Sequence, residues 1–461
     1  MSENQDSAAT LDPNKGLAWY RGLTGYHWFI LIVCWMAWVF DTFDQQIFVI
    51  TRGPAMKALL GTADVKFISG IVTMIMMFGW ATGGIVFGIL GDKWGRARTM
   101  ILAIMFYSIF TGLSSFSVSW IDFTLYRFLT GLGVGGTFGA AVSFVAEVLP
   151  ARSRPFALGA LQALAAAGNM TAAFISQYLQ PSGKMFGFDG WRVLFMVGIL
   201  PAILALLVMR RIKEPESWVQ AKEAERRGEA HHKGKGMGSM KELFGDPRWR
   251  KNVIVGIIIG LAGIIGLWSI GFWLPELVRE VVKGGTAEQN ANQDYYVSMA
   301  MVLFNGAAAV GTYLFAGLMS KVGRKPAFAF MFLFAIVAVL GVFGFMRTPS
   351  QIWWMAPILG LGTLTIFGGY SIYFPELFPT RLRATGVGFC YNTARYLAAL
   401  APLTLGALSN WYGGKNMKLL SSLGGVDSGF RYAAFTVAVV FVVGLVALLF
   451  APETKDKPLP E

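Results

Sequence analysis

Apolar stretches of membrane length alternate with polar connections along the chain, near residues 27–50, 67–91, 99–119, 120–149, 156–179, 191–210, 252–281, 294–319, 327–346, 352–378, 385–413 and 430–451. A helix needs roughly 20 apolar residues to cross the hydrocarbon of a bilayer. The pattern therefore predicts an all-α membrane protein of twelve transmembrane helices. Polar flanks mark a tail over 1–26, a connection over 211–251 and a tail over 452–461, with helical bundles at 27–210 and 252–451. The segment before the first apolar run shows no small-residue cleavage site, so that run is expected to remain as a span.

Composition agrees, since 55% of the 461 residues are hydrophobic and 14% charged, a balance too apolar for a soluble domain. The net charge of +13 would suit nucleic acid if it were spread over one face. Instead most Lys and Arg fall in the two tails and the even-numbered connections, the asymmetry that marks a cytoplasmic side. Both termini are therefore expected in the cytoplasm, at a plasma membrane or bacterial inner membrane, with lipid and not nucleic acid as the large partner. Cys34 and Cys390 both sit in apolar runs, and His27, His231 and His232 lie at an edge or in a polar connection. No disulfide framework, metal spacing or cofactor is expected. Proton handling inside the membrane would fall to carboxylates.

The halves repeat. Glu147-Val-Leu-Pro-Ala-Arg-Ser-Arg154 matches Glu376-Leu-Phe-Pro-Thr-Arg-Leu-Arg383, Gly95-Arg96 matches Gly323-Arg324, and Gly190-Trp-Arg192 echoes Gly429-Phe-Arg431. Six spans lie between copies, an even number, so both halves share one orientation. Parallel repeats of this kind place a substrate site near the midplane between them.

Few ionisable residues interrupt the spans. Asp41 and Asp44 share one face of the first helix. A carboxylate in hydrocarbon persists where it faces a cavity or a partner. Arg127 lies about seven residues, roughly 10 Å, into the fourth span, and Asp44 about six residues, roughly 9 Å, from the same side. Equal depth makes them candidate partners. An arginine favours the ionised carboxylate and separation favours its protonation, so the pair can couple proton uptake to conformation; a static ion pair holding two helices is the other reading. Arg395 lies roughly 15 Å along the eleventh helix, near the midplane, where a guanidinium suits bidentate capture of a carboxylate. It could equally be neutralised by Asp41. Tyr391 and Asn392 share its face. Gln162, Asn169, Tyr370 and Trp268 are further candidate substrate contacts, each also readable as helix packing.

Gly88-Ile-Leu-Gly-Asp92-Lys-Trp-Gly95-Arg96-Ala-Arg98 resembles the G-x-x-x-D-x-x-G-R-x-R loop motif of the major facilitator superfamily, and Arg127-Phe-Leu-Thr-Gly131-Leu-Gly133 resembles its fourth-helix motif. The resemblance covers about residues 25–455 and implies two pseudo-symmetric six-helix bundles working by alternating access. Asp41-Thr-Phe-Asp44 resembles the D-G-F-D signature of aromatic-acid/proton and sialate/proton symporters, with Thr42 in place of Gly. That implies proton-coupled uptake of a small organic anion, an aromatic or sialate-like monocarboxylate, by a functional monomer. Asp92, Arg96 and Glu147 are expected to form a gating charge cluster at the inner end of the first half. Arg324, Glu376 and Arg383 form its counterpart in the second, with Ser320 where Asp92 would stand. Other functions consistent with the residues are a sugar or organic-cation carrier and a transport-inactive receptor or scaffold. No residue set supports an enzyme. The polar 211–251 segment reads as a solvated connector with some amphipathic helix.

Overall fold

The computed structural model describes residues 18–60, 65–179, 184–203, 211–227, 236–400, 408–409, 411–413, 418–422 and 428–460. Nine helical stretches among these are long and apolar enough to cross a membrane, two of them, Arg154–Ser176 and Pro349–Glu376, with an internal break. Together with three shorter or interrupted segments they make the twelve-helix arrangement. The first half holds α1 (Gly25–Leu60), α2 (Val65–Trp94), α3 (Arg96–Ser114), α4 (Trp120–Val148), the pair α5 (Arg154–Ala163) and α6 (Ala165–Leu179), and α7 (Gly190–Val197). In the connection lie α8 (Glu216–Arg226) and α9 (Met240–Gly245). The second half holds α10 (Pro247–Ile265), α11 (Leu274–Lys283), α12 (Ala287–Ala291), α13 (Gln293–Val322), α14 (Arg324–Phe345), α15 (Pro349–Thr363), α16 (Ile366–Glu376), α17 (Arg383–Ala398), α18 (Leu419–Ser422) and α19 (Gly429–Phe450).

Local chemistry moves several predicted boundaries. The third span stops at Ser114, earlier than predicted, because Ser119 and Asp122 form a capping box that opens α4. The seventh span is not one helix. Gly266–Ile270 is a π turn and Gly271–Trp273 a 3-10 turn before α11. Pro275 lacks the N–H that would bond the Gly271 carbonyl, and Leu274 N–H takes that carbonyl in the tighter turn. The fifth and tenth spans are likewise broken, at Leu164 and at Leu364–Thr365. The ends of the predicted 191–210 and 385–413 spans, and His231 and His232, lie outside the described residues.

Close packing holds α2 against α4 within the first half and against α17 across to the second. A Cβ at Gly131 or Gly135 would strike the carbonyl oxygen of Met76 or Trp80 on α2, so only glycine lets these backbones approach. α5 and α13 form another junction between the halves. Both chain tails meet the same end of the bundle: Ser153 Oγ donates to Trp19 O at 2.6 Å, and Glu453 caps the start of α14. That end is called the terminal end below.

Candidate functional site

Away from the terminal end, a cavity of about 480 Å³ opens between the halves. α1 contributes Gln45, Gln46 and Arg52, α6 contributes Asn169, and Arg279 and Asn305 come from α11 and α13. Apolar walls are supplied by Phe48, Met76, Trp80 and Phe304, among others. Two guanidinium groups and four amides face this space, and no carboxylate does among the described residues. Of the predicted substrate contacts whose side chains are described, only Asn169 lines it.

Directly behind this wall lie the buried acids. Asp41 and Asp44 are fully buried. Gln45, on the cavity, donates from Nε2 to Asp41 Oδ2 at 3.0 Å, so a single side chain separates Asp41 from the cavity. Asp44 Oδ1 accepts a 2.5 Å hydrogen bond from Thr111 on α3. Its Oδ2 stands 3.8 Å from Arg127 Nη1, and neither of these two atoms has a hydrogen-bond partner among the described residues. The rest of the Arg127 guanidinium is held: Nε and Nη2 donate to Ser114 Oγ at 3.1 and 2.8 Å, and Nη2 to Thr130 Oγ1 at 3.0 Å. The ring of Phe195 covers it at 4.7 Å. Cation and carboxylate are thus each held by hydroxyl groups, Arg127 by Ser114 and Thr130 and Asp44 by Thr111, and meet one another only at 3.8 Å.

Arg395 is buried, with its guanidinium carbon 3.6 Å from the Trp80 ring and 4.7 Å from the Tyr391 ring. Its Nε and Nη1 have no hydrogen-bond partner, and it makes no ion pair with Asp41 or any other described carboxylate. Since Trp80 lines the cavity, Arg395 sits one aromatic ring behind the wall. Tyr391 stacks on Phe138 at 3.8 Å, and Asn392 Nδ2 donates to Gly388 O at 3.0 Å. Asn392 is wedged against Gly84, where a Cβ would collide with it. Tyr370 lies in the second-half core, its hydroxyl bound to Ile259 O at 2.7 Å and its ring stacked on Phe374. Sequence offered it as a substrate contact or an interhelical packing contact; its hydroxyl meets a carbonyl of its own half. Gln162 is half-buried with an unpartnered Oε1, and the side chain of Trp268 lies outside the described residues.

At the terminal end lie the residues that the sequence offered as a gate. Arg96 meets Asp92 at 2.8 Å and Glu147 at 3.0 Å, with all three side chains fully buried. Arg383 was expected beside Glu376. It instead crosses to Glu147 of the other half at 2.8 Å, because the junction brings the start of α17 against α2 and α4. Asp92 also reaches across, accepting from Ala384 N at 3.1 Å, Thr385 N at 2.9 Å and Thr385 Oγ1 at 2.5 Å, while Arg96 donates to Thr380 O. In the second half Arg324 pairs with Glu376 at 2.6 Å. The connection is no free tether. Trp218 of α8 donates from Nε1 to Asp92 O at 2.7 Å, and Glu242 of α9 pairs with Arg381 at 2.8 Å.

Sequence reasoning missed Gln45, Arg52, Trp80 and Thr111. Two further acids were also missed: Glu214 accepts from Ala97 N and Arg98 N, and Glu453 from Arg324 N and Lys325 N. Each caps a helix that begins after a glycine of positive φ, Gly95 at 116° and Gly323 at 106°. The paired glycines in the repeat were the available signal.

Twelve helices with buried charges along an interface between two parallel repeats define a membrane transporter, and not an enzyme. The chain belongs to the Major Facilitator Superfamily, which residues 34–402 match. It is 29% identical over 405 residues to the cis,cis-muconate transport protein of Acinetobacter baylyi, covering 88% of this chain and 89% of that one. It is 26% identical over 400 residues to the sialic acid transporter NanX of Escherichia coli, covering 86% and 91%. These relatives match the two symporter groups that its first-helix signature resembles. Among solved structures, the proton:xylose symporter XylE bound to 6-bromo-6-deoxy-D-glucose superposes with a TM-score of 0.73 at 18% identity, over 94% of this chain and 98% of that one. At that identity the likeness concerns the fold alone.

Proposed function

We propose that this chain is a proton-coupled symporter that takes up a small organic anion, an aromatic or sialate-like monocarboxylate. The observation that carries this reading is the cavity: Arg52 and four amides over an aromatic and thioether wall, with Arg279 on the rim and no lining acid among the described residues. Such a surface attracts an anion electrostatically and buries a planar or apolar body. A sugar needs no cations, and an organic cation would be repelled. The names of the muconate and sialic acid relatives support the coarser class, a small organic acid.

In the proposed cycle the structure corresponds to an outward-facing state, with the termini in the cytoplasm. The bundles at 27–210 and 252–451 rock against each other, and the 211–251 connection travels with them. Arg395 awaits the substrate carboxylate once Trp80 turns aside, with N–H groups at Nε and Nη1 that have no acceptor among the described residues. Asp44 takes up the proton when it parts from Arg127, and Asp41, tethered to Gln45, senses the cavity. Asp92, Arg96, Glu147 and Arg383 hold the inner gate shut and part when it opens, with Arg324 and Glu376 bracing the second half.

The test is uptake by purified protein in liposomes under an inward proton gradient, against a panel of aromatic acids, sialic acid, neutral sugars and organic cations. Carboxylate accumulation is expected, with Asp44→Asn abolishing gradient-driven accumulation and sparing exchange of substrate across the membrane. Sugar accumulation without acid accumulation would overturn the substrate class. Full accumulation by Asp44→Asn would remove that residue from coupling.

A further inference from the structure

At the terminal end a second cavity, about 550 Å³, lies between the α2–α3 turn and α8. Lys93 and Arg98 line it from the turn, and Lys222 and Arg226 from α8. Lys222 is engaged by Glu225 at 2.6 Å, and Glu223 stands on the rim. Lys93, Arg98 and Arg226 are exposed and make no ion pair among the described residues. The usual explanation of such a group is a solvated charged face. Two features argue against it here: the cations converge on a concavity from separate elements, and indole rings wall that concavity. Trp94, the last residue of α2, leaves 55% of its surface exposed where the span ends, while Trp218 is buried beneath.

We infer that this cavity binds the phosphate-bearing headgroup of an anionic phospholipid of the leaflet at the terminal end. Exposed tryptophan at the end of a span belongs at headgroup depth, and converging Lys and Arg at that depth attract anionic lipid. The guanidinium forks of Arg98 and Arg226 match phosphate oxygens. A free phosphate shares that chemistry but has no use for the apolar Trp94 and Val219 surface. The site also has a consequence for transport. Trp218, on the same helix as Arg226, holds the carbonyl of Asp92, and the Asp92 carboxylate receives the backbone N–H groups of Ala384 and Thr385. A headgroup bridging Arg98 and Arg226 fastens α8 to the turn and so favours the closed gate.

The experiment is native mass spectrometry of the full-length protein in detergent, titrated with phosphatidylglycerol or with phosphatidylcholine of the same acyl chains. Wild type is expected to retain phosphatidylglycerol selectively. Removing two cations with Arg98→Gln and Arg226→Gln is expected to weaken retention roughly thirtyfold. A control double variant, Lys241→Gln with Arg250→Gln, deletes the same charge from the same end of the molecule and is expected to leave retention unchanged. Equal loss in both double variants would reduce the site to diffuse surface charge and overturn it. Equal retention of phosphatidylcholine would do the same, and displacement by millimolar inorganic phosphate would make it a free-anion pocket. Because substrate plays no part in the measurement, its outcome is independent of the transport reading.

Discussion

The two charge clusters at the terminal end share one sequence pattern and differ in what they join. In the first half Glu147 is buried between Arg96 and Arg383, and the second arginine comes from the opposite half. In the second half Glu376 pairs with Arg324 of its own half, with side chains 12% and 7% exposed, and accepts a 2.6 Å hydrogen bond from Thr454. Arg154 is the counterpart of Arg383. It donates to Leu149 O at 2.9 Å and makes no ion pair among the described residues. Ser320, where the first half has Asp92, bonds back to Gly317 O of its own helix at 2.7 Å and reaches no neighbour. Repetition of a motif therefore does not repeat its energetics. One half supplies the contacts that hold the halves together; the other supplies a brace internal to itself.

The largest expected effect comes from neutralising the shared acid. Glu147→Gln takes from Arg383 the one carboxylate it meets among the described residues and leaves Arg96 with Asp92 alone, and breaking a buried ion pair from one side costs about 3–5 kcal/mol. The share that belongs to Arg383 falls on the state in which the two halves meet here, because only that pair crosses between them. Hydrogen exchange is therefore expected to speed up in peptides from both halves, around 88–98 and 380–388. Glu376→Gln, at a partly exposed site with Thr454 still available as a partner, should affect only peptides near 320–328. Equal spread in the two variants would abolish the asymmetry.

Ser320→Asp sharpens the comparison from the other side. It supplies the missing acid four residues before Arg324, the spacing at which Asp92 meets Arg96. Arg324 is already satisfied by Glu376 and by Met319 O, so the gain is expected to be small, about 0.5 kcal/mol. Protection at 380–388 should not rise, because the added acid is expected to be spent on Arg324 of its own half. Added protection there would mean that the aspartate alone determines which half latches.

How much of this was legible in the sequence follows from which distances a helix fixes. Span lengths and the matching depth of Asp44 and Arg127 depend only on helical rise, so they could be read from spacing. Tyr370 and Asn392 share a span with cavity-facing or midplane groups in a linear reading, yet their polar atoms are taken by the carbonyls of Ile259 and Gly388. No spacing rule reveals that a hydroxyl is already occupied. The crossing of Arg383 to Glu147 was hidden for a related reason. An internal repeat aligns each residue with its counterpart in the other half, whereas closure of the gate joins residues that are not counterparts. Arg52 escaped notice because it follows the apolar run, and α1 continues past it to Leu60 and brings it onto the cavity.

An effect of similarly small size concerns the two capping acids. Glu214 accepts two backbone N–H groups, at 3.2 and 3.1 Å, whereas Glu453 accepts four, from Arg324, Lys325, Thr454 and Lys455, at 2.9–3.0 Å. Burial pushes the Glu453 carboxyl upward, but the four donors outweigh it and hold the group below its ordinary value of 4.5. A carboxylate with a depressed folded value stabilises the fold above its ordinary value and loses that contribution as pH falls through the folded value. Glu453→Gln is therefore expected to lower the thermal midpoint slightly at neutral pH, by the equivalent of about 0.5–1 kcal/mol. The gap to wild type should close as pH drops below the ordinary carboxylate range. Glu214→Gln, with half the donors and longer bonds, should cost less at neutral pH. A larger loss from Glu214→Gln would mean that the first half depends on its cap as much as on its ion pairs, and that the brace and the latch are less separate than the geometry implies.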